Sequence, residues 1–182
     1  ETNLEEVEEI GGGWFDVSFI DPELVCLSRL GAIVTVDPTT GAAELVGVFD
    51  EGLEAAAWSP DKEILLMVTS IVDDDEEEGD ETKEDPEINA HLMTMNASFE
   101  VLSEVRIPNY IPSAKGENSK ISVCWRPDGS LCAVSSVDAE DSMRNIRIYK
   151  RETLEVHAIG RAEDASGTLV KNLQTAQISW AG

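Results

Sequence analysis

The residues of this 182-residue chain that could do chemistry are few and scattered. The two histidines, His91 and His157, are isolated, and no Cys or His pair has the spacing of a zinc site. Each histidine reads as a strand residue rather than a ligand or a base. There is no Gly-x-Ser-x-Gly elbow to present a nucleophilic serine on a strained turn. A phosphate-cradling Walker loop and a dinucleotide fingerprint are absent as well. Asn96-Ala97-Ser98 matches a glycosylation acceptor, a chance match in a chain that reads as cytosolic. The sequence therefore predicts no catalytic, cofactor-binding or metal-binding residue.

The densest titratable cluster is residues 73–87, with eleven acids and one lysine. These fifteen residues supply −10 of the net charge of −24, so the rest of the chain still carries −14. Such a run cannot bury enough apolar surface to offset the entropy of ordering it. It reads as a disordered insertion between two strands, and three roles stay open. One is a solvated loop, one is an acidic tether for a basic partner, and one is calcium binding. The last lacks the glycine and the bidentate glutamate spacing of an EF-hand loop. The overall charge repels nucleic-acid phosphates and anionic membrane surfaces.

Three cysteines, Cys26, Cys124 and Cys132, form no disulfide framework and fit a reducing compartment, cytoplasmic and also nuclear. A hairpin centred on Asp128 would set Cys124 opposite Cys132, although cross-strand pairs seldom reach disulfide geometry. No signal peptide and no run of about 18 apolar residues is present. The chain opens on Glu1 and ends at Gly182 inside a repeat, and so reads as a piece of a longer protein.

The elements around these residues repeat. Residues 53–69 read as two apolar strands joined by a tight turn at Ser59-Pro60-Asp61-Lys62. Pro60 presets φ for the second position of a type I turn, and Asp61 can bond back to its own backbone. The unit returns at residues 121–137 around Trp125-Arg126-Pro127-Asp128-Gly129, and starts a third time before Trp180. From Trp14 to Trp58 is 44 residues and from Trp125 to Trp180 is 55. From Trp58 to Trp125 is 67, or 52 without the fifteen-residue insertion. Four-stranded propeller blades repeat at roughly 40–50 residues. The prediction is an all-β, WD40-like partial propeller of about three four-stranded antiparallel blades, plus the first strand of another at residues 176–180. Residues 1–13 form an acidic arm, and 14–182 belong to one propeller domain. Trp58, Pro60, Asp61, Trp125, Pro127, Asp128, Gly129 and Trp180 are its structural blade-turn residues, with Trp58 and Trp125 packing blade against blade.

A family resemblance rests on several runs. The first is Asp21-Pro22-Glu23 through Asp37-Pro38-Thr39-Thr40-Gly41, followed by Glu44-Leu45-Val46-Gly47 and by Gly52 to Asp61. The next is Trp125 to Gly129 with residues 131–137, then Arg147-Ile148-Tyr149 and Arg151. Together they resemble the N-terminal propeller of the largest subunit of the Elongator complex. The resemblance implies a non-catalytic scaffold in tRNA wobble-uridine modification, with the chemistry in another subunit. It implies other Elongator subunits as partners, and a parent protein that dimerises through regions absent from these residues. Direct nucleic-acid or membrane binding by these residues is not expected. Two alternatives use the same turns. One is a propeller of another cytosolic assembly, in translation or trafficking. The other is the non-catalytic propeller of an enzyme whose catalytic domain lies elsewhere.

Deleting residues 73–87 should leave the melting temperature nearly unchanged. A fall of several degrees, or strong ordering by a divalent ion, would contradict the reading of that run.

Overall fold

The computed structural model describes residues 14–73, 87–110, 112–113, 120–161, 167 and 178–180. Twelve strands follow one another along the chain, and no helix occurs among the described residues. They are β1 (Trp14–Ile20), β2 (Glu23–Ser28), β3 (Ala32–Val36), β4 (Ala43–Val48), β5 (Leu53–Trp58) and β6 (Ile64–Asp73). After these come β7 (Glu87–Asn96), β8 (Val101–Arg106), β9 (Ser122–Trp125), β10 (Leu131–Val137), β11 (Arg144–Lys150) and β12 (Val156–Arg161). They form three antiparallel sheets of four, β1 to β4, β5 to β8 and β9 to β12, each in sequence order. These are blades 1, 2 and 3.

The sheets stack face to face, and the core lies in the two joints between them. The first joint brings Val25, Leu27 and Ile33 of blade 1 against Trp58, Leu65, Met67, Met93 and Met95 of blade 2. The second brings Leu66, Val68, Ala90 and Leu92 of blade 2 against Trp125, Cys132, Val134 and Tyr149 of blade 3. Strand periodicity explains the split. Leu65 and Met67 point one way and Leu66 and Val68 the other, so the near-continuous apolar run in β6 serves both joints.

Each outer strand carries a bulge against its neighbour. The register shifts place Val46, Leu102 and His157 as the extra residues of β4, β8 and β12. A bulge bends an edge and interrupts its row of free backbone groups, which guards an exposed strand against pairing with another chain. A further bulge makes Glu54 the extra residue of β5. It re-aims that side chain at the connection from blade 2 to blade 3, where Oε2 accepts from Tyr110 Oη at 2.5 Å and Oε1 from Ser113 N at 3.0 Å.

Three readings of the sequence need correction. Trp125 pairs with Cys132 and Cys124 with Ala133, because the turn centres between Asp128 and Gly129. A one-residue shift moves a side chain to the other face. Cys124 and Cys132 therefore lie on opposite faces of the sheet, and all three cysteines are free. The strands on either side of the acidic run are longer than expected, since Asp73 and Glu87 pair with each other at the end of a ten-residue ladder. Residues 74–86 and 1–13 lie outside the described residues. Of the strand expected at residues 176–180, only 178–180 are described; Ile178, Ser179 and Trp180 are not in a strand and have no ladder partner among the described residues.

Tyr110→Phe removes a donor from the buried Glu54 carboxylate. It should lower stability by about 1.5–3 kcal/mol, since hydrogen bonds to charged groups are the costly ones to lose. A urea midpoint unchanged from the parent protein would contradict this.

Candidate functional site

Most of the turn residues singled out by the sequence, Pro60, Asp61, Trp125, Pro127, Asp128 and Gly129, lie where the first turn of blade 2 meets the first turn of blade 3. In blade 2, Lys62 N donates to Ser59 O at 2.9 Å and Lys62 adopts φ 63°. In blade 3, Gly129 N donates to Arg126 O at 2.8 Å with φ 70°. Both are proline-led turns that close with a left-handed residue, a form that matches the twist of a hairpin. Asp61 Oδ1 accepts from Ser59 Oγ at 2.5 Å and from Glu63 N at 3.2 Å. Asp128 Oδ1 accepts from Ser130 N at 3.0 Å and from Ser130 Oγ at 2.8 Å.

Arg151, from the turn after β11, ties the two hairpins together. Its Nη1 reaches Asp61 Oδ2 at 2.5 Å and its Nη2 reaches Glu63 Oε2 at 3.2 Å. The guanidinium stands 6.0 Å from the centroid of the Trp125 ring. Trp125 Nε1 in turn donates to Ala57 O of blade 2 at 2.9 Å. A Cβ added to Gly129 would press on Arg151 Nη1 at 3.1 Å and make ordinary contact with Pro60 Cδ at 3.6 Å, and the left-handed φ of 70° is what favours glycine there. The Arg151 bond and then the Ser59 hydroxyl hold the Asp61 carboxyl down at about 2. Pro60, Asp61, Pro127 and Asp128 are exposed, whereas Trp58 and Trp125 are buried in successive joints. Trp180 lies apart from this cluster in sequence and is half-buried.

The opposite end of blade 3 is polar and buried on both faces of the sheet, with Arg147 and Asn145 on the joint face and Arg144 on the far one. Arg144 Nη1 donates to Lys120 O at 3.1 Å and to Ser135 Oγ at 3.0 Å. Arg147 donates from Nη1 to Ser136 Oγ at 3.1 Å and from Nη2 to Pro108 O at 3.3 Å. Asn145 Nδ2 donates to Asp138 Oδ2 at 3.1 Å. Together with Glu54, these groups pin the connection between blades 2 and 3. The sequence reading missed Glu54, Arg144 and Arg147. A charged residue inside a strand was the available signal, but only the bulge at Glu54 reveals where it points.

Three further residues that the sequence drew attention to, His91, Asn96 and Cys132, each have a structural setting. His91 Nδ1 lies 2.6 Å from Glu104 Oε1 across β7 and β8, which is a cross-strand pair on the sheet. Asn96 holds its turn closed, with Nδ2 donating to Glu100 Oε2 at 2.7 Å and Oδ1 accepting from Ser98 N and Glu100 N. Burial, and then the nearby Cys124, push the Cys132 thiol up to about 12, which leaves it protonated and unreactive. Among the described residues no three His, Cys, Asp or Glu gather as a metal ion would need.

Three consecutive four-stranded antiparallel sheets, packed face to face, define the class as a partial β-propeller of the WD40 type. Solved structures share this fold. The WD40 domain of Toxoplasma gondii coronin aligns with a TM-score of 0.52 at 12% identity, over 82% of this chain and 34% of that one. Saccharomyces cerevisiae Sqt1 aligns with 0.52 at 10% identity, over 87% and 37%. The family described as ELP1 first N-terminal beta-propeller matches residues 17–117, and the chain belongs to that family. Two curated relatives are named Elongator complex protein 1. The Drosophila melanogaster protein is 24% identical over 83% of this chain and 14% of its own length. The Mus musculus protein is 27% identical over 73% of this chain and 11% of its own. The chain thus spans about a seventh or less of these relatives.

The Arg151 link gives a pH dependence. Asp61 is more acidic folded than unfolded, so its contribution is fully present above about pH 4 and fades as pH falls toward 2. The carboxylate is half-exposed, so screening limits the Asp61–Arg151 coupling to about 1 kcal/mol. A double-mutant cycle of Asp61→Asn and Arg151→Met should return that coupling at pH 7 and only a small part of it at pH 2, where the folded carboxyl is half protonated. A coupling unchanged by acid would contradict the assignment.

Proposed function

We propose that this chain is a section of a non-catalytic scaffold subunit of Elongator, and that its parent protein supports tRNA wobble-uridine modification without turnover of its own. The observation that carries the reading is the family match over residues 17–117. The geometry is consistent with it, because the singled-out turn residues hold blades together. Its partners are other Elongator subunits, and the parent protein dimerises through regions outside these residues. The negative field of the chain keeps it from tRNA and from membranes, since nucleic-acid affinity depends on neutralising phosphates. The site of action is the cytoplasm, and also the nucleus.

On this reading, substitutions act through folding. Trp125→Ala empties a buried ring and removes the bond to Ala57, at a cost of about 3–5 kcal/mol, enough to lose a marginal domain. In cells it should lower modified wobble uridine in step with the abundance of the complex, while the exposed Glu44→Ala changes neither. Mass spectrometry of tRNA nucleosides decides. Normal modification after loss of the protein would overturn the scaffold role.

A further inference from the structure

Blades 2 and 3 each drive a plug into the joint with the blade before them, and blade 1 has none. In blade 3 the turn after β11 closes with Lys150 N donating to Glu155 O at 3.0 Å and Leu154 N donating to Lys150 O at 3.0 Å. Leu154 sits at φ 52°, buried among Trp125, Tyr149 and the blade 2 residues of the second joint. In blade 2 the matching left-handed position is Phe99, φ 61°, packed against the first joint. Bulky side chains rarely adopt this backbone because it is strained, so their burial must compensate.

Blade 1 repeats the backbone of the blade 3 turn without its side chain. Asp37 N donates to Ala42 O at 2.9 Å, and Gly41 N donates to Asp37 O at 2.8 Å with φ 73°. A Cβ on Gly41 would meet nothing within 4 Å. Asp37 instead satisfies the turn locally, accepting from Thr39 N at 2.7 Å and from Thr40 Oγ1 at 2.8 Å. The face that Gly41 should serve carries Val17 and Phe19, more than half exposed, in register with Cys26 and Leu24, and continues through Leu45 on β4. Where Trp125 donates a bond across its joint, Phe19 has no donor to offer.

In a propeller a further blade of the ring covers this face of blade 1, and we propose that the joint so formed is a weak seam that opens before the two joints between blades 1, 2 and 3. The occupant follows from the arrangement. The face has the aliphatic and aromatic composition of the two formed joints, and the curated relatives are about seven times longer or more than this chain. A sheet exposing an apolar face is stable only against another layer. This inference concerns the ring itself and stands apart from the scaffold role.

The three cysteines report three different faces. Cys26 lies on the seam face, Cys132 inside the joint of blades 2 and 3, and Cys124 on the far face of blade 3. Alkylation of the full-length protein in sub-denaturing urea, read peptide by peptide and scaled to unfolded rates, measures how often each joint opens. Cys26 should react at least about tenfold faster than Cys132, the difference one buried plug supplies. Gly41→Leu should slow Cys26 several-fold and leave Cys132 unchanged, whereas Gly41→Asn, which tolerates the backbone but adds no plug, should change neither. Equal rates at Cys26 and Cys132, or no response to Gly41→Leu, would overturn the seam. Reaction of Cys26 at its unfolded rate without urea would overturn the covering blade.

Discussion

A four-stranded blade has two apolar faces and cannot bury either alone. The rest of this structure depends on that constraint. The second joint shows how it is met, with Leu66, Val68, Ala90 and Leu92 facing Trp125, Cys132, Val134 and Tyr149. β6 takes part in both joints because its side chains alternate, so damage in blade 2 reaches blades 1 and 3. Stability therefore belongs to neighbouring pairs, as in other repeat architectures.

Polar groups set the alignment that the apolar contacts leave open. Burial is non-directional, so two greasy sheets could slide or rotate. At one rim of the second joint, Arg151 fixes the blade 2 turn through Asp61 and Glu63. At the other, Glu54 holds Tyr110 and Ser113, while Arg147 reaches Pro108. The joint is thus bolted at both rims and filled between them.

The repeat was legible because Trp-x-Pro-Asp combines an apolar strand end with turn chemistry, and the strands follow from it closely. In the first blade the apolar and β-branched runs at 14–20, 24–28, 32–36 and 43–49 match the observed strands to within a residue or so at their ends. Register was not legible. The hairpin around Asp128 lies half a residue from the assumed centre, enough to separate Cys124 from Cys132. The reach of β6 and β7 into the acidic run was hidden as well, because ladder pairing of Asp73 with Glu87 leaves no apolar alternation to read. The plugs at Phe99 and Leu154 were invisible for a different reason. Neither residue type announces a left-handed turn, and only the joint explains why the strain is tolerated. Family membership was readable from the order of several weak motifs, none of which would have sufficed singly.

Peptide-resolved hydrogen exchange across the three blades tests the central claim that the joints, not the single sheets, are the cooperative units. The account predicts that amides of β5, β6, β9 and β10 become exposed together in one opening, with β4, β8 and β12 exchanging earlier as frayed outer edges. Three blades that exchange independently, each with its own opening energy and with no effect of one upon its neighbour, would contradict it.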